Sequence, residues 1–201
     1  AIVGGVGHQP PPGVKFVNFN EPTGIPAEMD DVSPRTRQVT QFVIHRGAER
    51  ARAGDNYAQA TERILDSRGL SSLFTMDLDG TVYQHFDPVP YRGRHCEYHN
   101  VQSDSIDIGG PFTPTIKPTA GQEARTFKAA IGRQNDNLPP MDRKYGTVKC
   151  WSIPAAQVEA MALFIPWWCQ LRGIPVTACE DLRTFRLGTL GVNDPATNVK
   201  G

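Results

Sequence analysis

Long apolar runs are missing from this chain. No stretch of about 18 apolar residues occurs, so no membrane-spanning helix is expected. An excess of either charge is missing too. Lys and Arg total 21, Asp and Glu total 21, and the formal net charge is zero, which is not the electrostatic footprint of a nucleic-acid binder. No charged segment leading into an apolar core opens the sequence, so no secretion signal is visible, and a mature chain already processed would read the same. Cysteine is sparse: Cys96, Cys150, Cys169 and Cys179 form no CxxC pair, which argues against a zinc knuckle. Four reduced, mostly buried thiols in a protein assembled in a cytoplasm are expected, with disulfides left open by the spacing. No internal repeat is visible.

Gly and Pro, by contrast, are concentrated at the start. Residues 1–38 hold Gly4-Gly5, the run Pro10 to Gly13 and Pro22-Thr-Gly24, with little apolar periodicity. Only residues 14–19 suggest a short strand or anchor. The region reads as an extended arm crossing a neighbour or its own domain. Ordering so long a segment is costly unless it gains contacts, and it is expected to pack poorly on its own domain and to contact other chains.

The remaining residues, 39–201, read as one domain, a size that supports a good core. Residues 39–45 are β-branched and aromatic, the signature of a buried strand. A helix is expected over 56–68, capped by Asp55 or Asn56, with Tyr57, Ala60, Ile64 and Leu65 on one face and Gly69 ending it. Residues 71–77 and 81–86 read as a hairpin around Asp79-Gly80, and 104–108 as a further strand. The prolines at 111, 114, 118, 139 and 140 mark 111–149 as an insertion with one short helix around Gln122–Ala130. A second long helix is expected over 154–172, with Ser152 as cap and Pro154 in the first turn. Its spaced apolar residues are Val158, Met161, Ala162, Ile165, Trp168 and Cys169; Pro166 should kink it and Gly173 end it. A strand over 174–178 and a loop over 180–201 complete the reading. Alternating strands and helices imply an α/β fold, a mixed central sheet flanked by helices.

The order Gln41-Phe-Val-Ile-His45, Leu78-Asp-Gly-Thr-Val-Tyr-Gln84, His95-Cys-Glu-Tyr-His-Asn100 and Ser105-Ile-Asp-Ile108 resembles the zinc amidases that cut peptidoglycan between N-acetylmuramic acid and L-alanine. That family includes phage lysozyme-type amidases and peptidoglycan-recognition proteins. The resemblance covers roughly 39–110 and 152–195, and it implies an amidase-like fold, a Zn²⁺ cofactor and a peptidoglycan ligand. A catalytic zinc takes three protein ligands and one open position, where it acidifies a water and polarises the scissile carbonyl.

Carried over residue by residue, the resemblance makes His45 the first ligand. Cys179 stands where the family has its second histidine, and Asp194, followed by Pro195, stands at the third ligand. Two anionic ligands would lower the Lewis acidity of the ion. His95 and Asn100 match a motif bordering the family's cleft and are candidates for substrate contact. His99 is expected at the surface, and His85 is expected to face solvent or the arm.

Three of the family's catalytic features are unmatched. Ser72 stands in place of its Tyr, Gly109 in place of its Glu, and Val192 in place of its Lys. Asp107 lies two residues from Gly109 and on the same strand face. Asp107 and Glu180 are the candidates for catalytic roles, with Arg183 and Arg186 nearby. Each lost role removes on the order of 10²–10⁴-fold of rate.

Three readings follow. The first is an active zinc-dependent amidase of the endolysin type. The second, favoured by the arm, the insertion and the unmatched residues, is an amidase-derived domain at the bacterial cell wall with impaired or lost hydrolysis. Its setting would be a phage tail or injection particle, a virion component assembled in the bacterial cytoplasm, touching other protein chains through 1–38 and 111–149. The third, an unrelated enzyme with Cys179 or Cys96 as nucleophile, lacks a base at recognisable spacing.

Overall fold

The computed structural model describes residues 1–48, 50–95, 100–130, 145–175 and 199–200. Short strands β1 (Ile2–Val3), β2 (Val6–Gly7), β3 (Phe16–Val17) and β4 (Ser33–Pro34) lie in the arm. Then come β5 (Gln41–Arg46), α1 (Tyr57–Asp66), β6 (Phe74–Met76), β7 (Val82–Gln84), β8 (Tyr91–Arg92) and β9 (Ser103–Ile108). The chain continues through β10 (Ala124–Ala130), β11 (Tyr145–Trp151), α2 (Ala155–Arg172) and β12 (Val199–Lys200). A six-stranded mixed sheet runs β12-β5-β9-β6-β7-β3, with β6 and β7 antiparallel and the other neighbours parallel. The strands expected near 39–45, 71–77, 81–86 and 104–108 therefore share one sheet.

Alternation along the strands makes the two faces of this sheet unlike. Phe42, Phe74 and Ile106 point to one side and are fully buried. There they meet α2: the Phe74 ring lies edge-on to Phe164 at 4.9 Å and to Trp168 at 4.7 Å. Burying each such side chain contributes roughly 1.5–3 kcal/mol, and edge-to-face geometry adds about 0.5–1.5 kcal/mol per pair. The α2 face that does this is Gln157, Ala160, Phe164, Trp168 and Cys169. Val158 is 47 % exposed, contrary to its expected place in the packed stripe. Pro154, not Ser152, occupies the N-cap position, and the Ser152 hydroxyl accepts from the Glu123 amide instead. Pro166 lies inside the helix and Gly173, at φ 66°, ends it.

The other face carries Ser103, Ser105, Asp107 and Thr75, all buried, beneath α1. Asn56 caps α1 in a capping box with Gln59: each side chain accepts from the other's backbone amide, at 2.8 and 3.0 Å. The expected face is rotated. Ala60 and Leu65 are buried as expected, but Ile64 is 43 % exposed, and Ala58, Thr61 and Glu62 are buried with Leu65 in an i, i+3, i+4, i+7 stripe. A polar sheet face draws the polar Thr61 and Glu62 inward, an outcome that apolar periodicity does not encode.

Gly80 closes the β6–β7 hairpin at φ +83°, and a Cβ there would lie 2.6 Å from the Ala156 carbonyl oxygen. The turn therefore needs glycine for both its backbone and the approach of α2.

The arm corrects one expectation. It packs on its own domain. β3 adds to the sheet edge alongside β7, and Gln84 exchanges hydrogen bonds with the Ile2 backbone at 2.8 and 2.6 Å. The amides of Gly4 and Gly5 donate to the Asp87 carboxylate at 2.8 and 2.7 Å. These specific bonds offset the ordering cost of a Pro/Gly-rich segment. Arg35 then enters the core, donating to Asp104 at 2.6 Å, while Trp168 and Arg172 of α2 donate to the same carboxylate at 3.1 Å each.

Two further expectations change. Residues 124–130 form a strand of an antiparallel ribbon with β11, not a short helix. The β-branched and aromatic residues of β11 supply a ladder that outweighs the helix propensity of Ala, Arg and Lys. The expected strand 174–178 is not seen at Ile174 and Pro175, and 176–178 lie outside the described residues. The place beside β5 is taken by Val199–Lys200, part of the expected C-terminal loop. Among the described residues no helix is long and apolar enough to cross a membrane, and Cys150 and Cys169 are free thiols.

Asp104→Ala should lower the free energy of unfolding by about 3–5 kcal/mol, because it strands two buried guanidinium groups. Lys15→Ala, which removes the exposed Lys15–Asp79 pair, should leave urea denaturation unchanged. Equal behaviour of the two variants would contradict the role given to Asp104.

Candidate functional site

His45 stands near the end of β5, half-buried, where the strand opens toward the loop before α1. His95 reaches it from the segment between β8 and β9. The Asn100 side chain accepts from the His95 amide at 2.9 Å and so fixes the backbone there. The ring nitrogens His45 Nε2 and His95 Nδ1 are 3.2 Å apart, with the rings inclined at 66°. The other nitrogen of His95, Nε2, lies 3.2 Å from Ser103 Oγ at the start of β9. Burial lowers the pKa of His45, holding the ring neutral near pH 7.

Thus two expected site residues, His45 and His95, meet, and Asn100 supports one of them. Cys179, Asp194, Glu180, Val192, Arg183 and Arg186 lie outside the described residues, as do Cys96 and His99. Among the described residues no group of three His, Cys, Asp or Glu side chains converges as a metal site. The His45–His95 separation is nevertheless close to the donor–donor edge of a tetrahedral zinc site, about 3.3 Å for bonds of 2.0–2.1 Å. Two imidazoles so placed fit two corners of such a site.

Asp107 is the register partner of His45 on the adjacent strand. Burial raises its pKa to about 7, against the lowering effects of a hydrogen bond from Ser72 and of the Arg68 charge. The buried Ser72 and Ser105 hydroxyls are 2.8 Å apart, so Ser72 is tied into the interior. Gly109 leaves no room for a side chain: a Cβ would lie 2.6 Å from Tyr57 Cβ and 3.1 Å from the Met76 carbonyl oxygen.

Beside Asp107 lies a buried group that sequence reasoning missed. Glu62 is 2 % exposed, and neither carboxyl oxygen has a hydrogen-bond partner. Burial, then Asp66, Asp107 and Asp31, raise its pKa well above the usual range. His85 stands 3.7 Å from Glu62 and is buried, not solvent-facing. It does meet the arm, at the Ile25 carbonyl, and its other nitrogen is 2.8 Å from Thr75 Oγ1. Burial lowers its pKa to about 4. The signal for this layer was present in the alternation of Ser103, Ser105 and Asp107, which places three polar residues on one strand face.

A family model for N-acetylmuramoyl-L-alanine amidase matches residues 35–183. No curated protein matches the chain. Two solved structures are similar at low identity. One is Drosophila Peptidoglycan Recognition Protein (PGRP)-SA, at 14 % identity and TM-score 0.45, covering 81 % of this chain and 76 % of that one. The other is the endolysin N-acetylmuramoyl-L-alanine amidase LysCS from Clostridium intestinale URNW, at 13 % identity and TM-score 0.45, covering 96 % and 92 %.

A carboxyl group whose folded pKa is raised contributes stability that is present below its unfolded value and lost as pH rises through the folded value. For Asp107 that window runs from 3.8 to about 7. Asp107→Asn should therefore gain on the wild type as pH rises across this window, by on the order of 4 kcal/mol at full development. Urea unfolding of both proteins from pH 4 to pH 8 measures the gap, and a gap that stays constant would contradict the raised pKa of Asp107.

Proposed function

The chain belongs to the N-acetylmuramoyl-L-alanine amidase family, and we propose that it engages bacterial peptidoglycan at the cleft marked by His45 and His95 while hydrolysing it weakly or not at all. The observation that carries this reading is a pair of interior positions, Gly109 and Ser72. At one, Gly109 is closed off by Tyr57 and Met76 and has no space for a carboxylate. At the other, the buried Ser72 hydroxyl is tied to Ser105 and to Asp107. Neither residue can hold or move the proton of an attacking water, so general-base assistance worth on the order of 10²–10⁴-fold is absent from both.

A divalent metal bound at His45 would supply an acidified water and a polarised carbonyl. What the chain's own residues do is position. Asn100 holds the His95 backbone, Ser103 meets the His95 ring, and β5 holds His45, so the two imidazoles are kept in place beside each other. The β10–β11 ribbon pairs with no other strand among the described residues. It supports the further reading that the domain works as part of a larger assembly, such as a phage tail or injection particle acting at the cell wall. The alternative, an active zinc-dependent amidase, is favoured by one observation: Asp107, with a pKa of about 7, lies on the strand next to His45.

Two assays on one preparation separate these readings. The protein should sediment with purified peptidoglycan, and His95→Ala should weaken that binding. Peptide release with zinc supplied should fall on the order of 10²–10⁴-fold below that of an active family member. Robust release that His45→Ala and Asp107→Asn both abolish would overturn the reading and restore the enzyme.

A further inference from the structure

We propose that the hollow built by the arm is a second binding site, and that it takes a saccharide unit of a neutral glycan. The site shares no residue with the His45–His95 cleft. Only the identity of the natural glycan, a strand of peptidoglycan, rests on the reading of that cleft.

The hollow has fixed walls. β1 and β2 form a hairpin closed by a His8-to-Ala1 backbone hydrogen bond at 2.7 Å, held to the domain by Gln84 and Asp87. β3 follows and extends the sheet. The arm residues enclose a cavity of about 470 Å³, inside the range of roughly 300–1,000 Å³ found for small-ligand sites. Ile2, Val14 and Phe16 give it an apolar wall. The Phe16 ring is set in place by Phe164, stacked at 6.0 Å, and by Phe74, edge-on at 6.3 Å.

His8, Gln9 and Glu21 bring polar groups to the same lining. A tight turn fixes Glu21. Its Oε1 accepts from the Asn18 amide at 3.1 Å and from the Asn18 side chain, while Gly24 donates to the Glu21 carbonyl at 2.8 Å. One carboxylate oxygen is thus the anchor, and Oε2 is left for a ligand.

The ligand class follows from this lining. A carboxylate, a carboxamide and an imidazole together donate and accept hydrogen bonds, and the apolar wall packs against carbon. A sugar ring answers both, with hydroxyls on its edge and C–H groups on its faces. Neither Lys nor Arg is among the described lining residues, so an anion finds no counter-charge there. A single carboxylate also gives a cation little to surround it. In the sheet order β3 stands four strand spacings from β5, about 19 Å. Hollow and cleft can then hold one polymer at two points, which raises avidity without a new contact at either.

The trimer of N-acetylglucosamine, which has sugar rings and no peptide, is the probe. Titrated into isotopically labelled protein, it should shift the amide resonances of residues 7–9 and 14–21 saturably. Glu21→Gln keeps an oxygen for Asn18 and removes the charge; it should weaken binding on the order of 10-fold. Gly7→Phe tests the hollow itself. Gly7 lines it, and a Cβ there meets nothing within 4 Å, so a ring is added at the cavity without a clash at its root. Binding should fall at least as far, and both variants should keep the wild-type melting temperature. Affinity unchanged in both would overturn the proposal. So would the absence of saturable shifts, shifts confined to residues around His45, or tighter binding of lysine amide than of the trimer, which would assign the hollow to an ammonium group. Peptidoglycan sedimentation of the His95→Ala variant reports on the cleft, so the two readings fail independently.

Discussion

One carboxylate ties the parts of this molecule together. Asp104 lies on β9, in the middle of the sheet, and is 1 % exposed. Arg35 from the arm, and Trp168 and Arg172 from α2, all donate to it. A buried charge is costly by itself and becomes tolerable only when its lone pairs are filled. Here three donors from two distant stretches of chain fill them. The sheet, the arm and the long helix therefore find their relative positions at a single point, and Trp168 is at the same time fixed against Phe74.

The opposite face of β9 has a different logic. Ser103, Ser105 and Asp107 are buried beneath α1, which turns Thr61 and Glu62 toward them. An interior with so many polar groups gains little from transfer out of water and depends on hydrogen bonds and protonation. Part of it is satisfied, as in Ser72–Ser105 and Thr75–His85. Part is not, as in Glu62 and one oxygen of Asp107. His45, the register partner of Asp107, lies at the edge of this layer, and His95 meets it there.

Much of the fold was legible. The apolar run before His45, the Asp79-Gly80 turn and the capping residue Asn56 each act within a few residues, so their outcome does not await tertiary contacts. The alternation in Ser103 to Ile108 was equally visible, but which face meets which helix is not a local property. Ile64 looked inward-facing because apolar spacing was the guide, and it is exposed because the layer beneath α1 is polar. The ribbon strand at 124–130 was missed because its partner lies across the insertion, beyond the reach of local propensity. The arm looked unattached because its anchors, Gln84, Asp87 and Asp104, are far away in sequence.

The site divides in the same way. By itself the sequence determined that His45 stands near the end of an apolar strand and that His95 and Asn100 stand five residues apart before β9, and its resemblance to the family led to the expectation that Ser72 and Gly109 stand at positions of proton-moving groups. These are facts of residue type and order. Only the tertiary structure decided that His95 turns its Nδ1 to His45 at 3.2 Å, that Gly109 is sealed by Tyr57, and that burial raises the pKa of Asp107. Such outcomes depend on distances between segments 30 or more positions apart, which packing and desolvation set and which no local pattern carries.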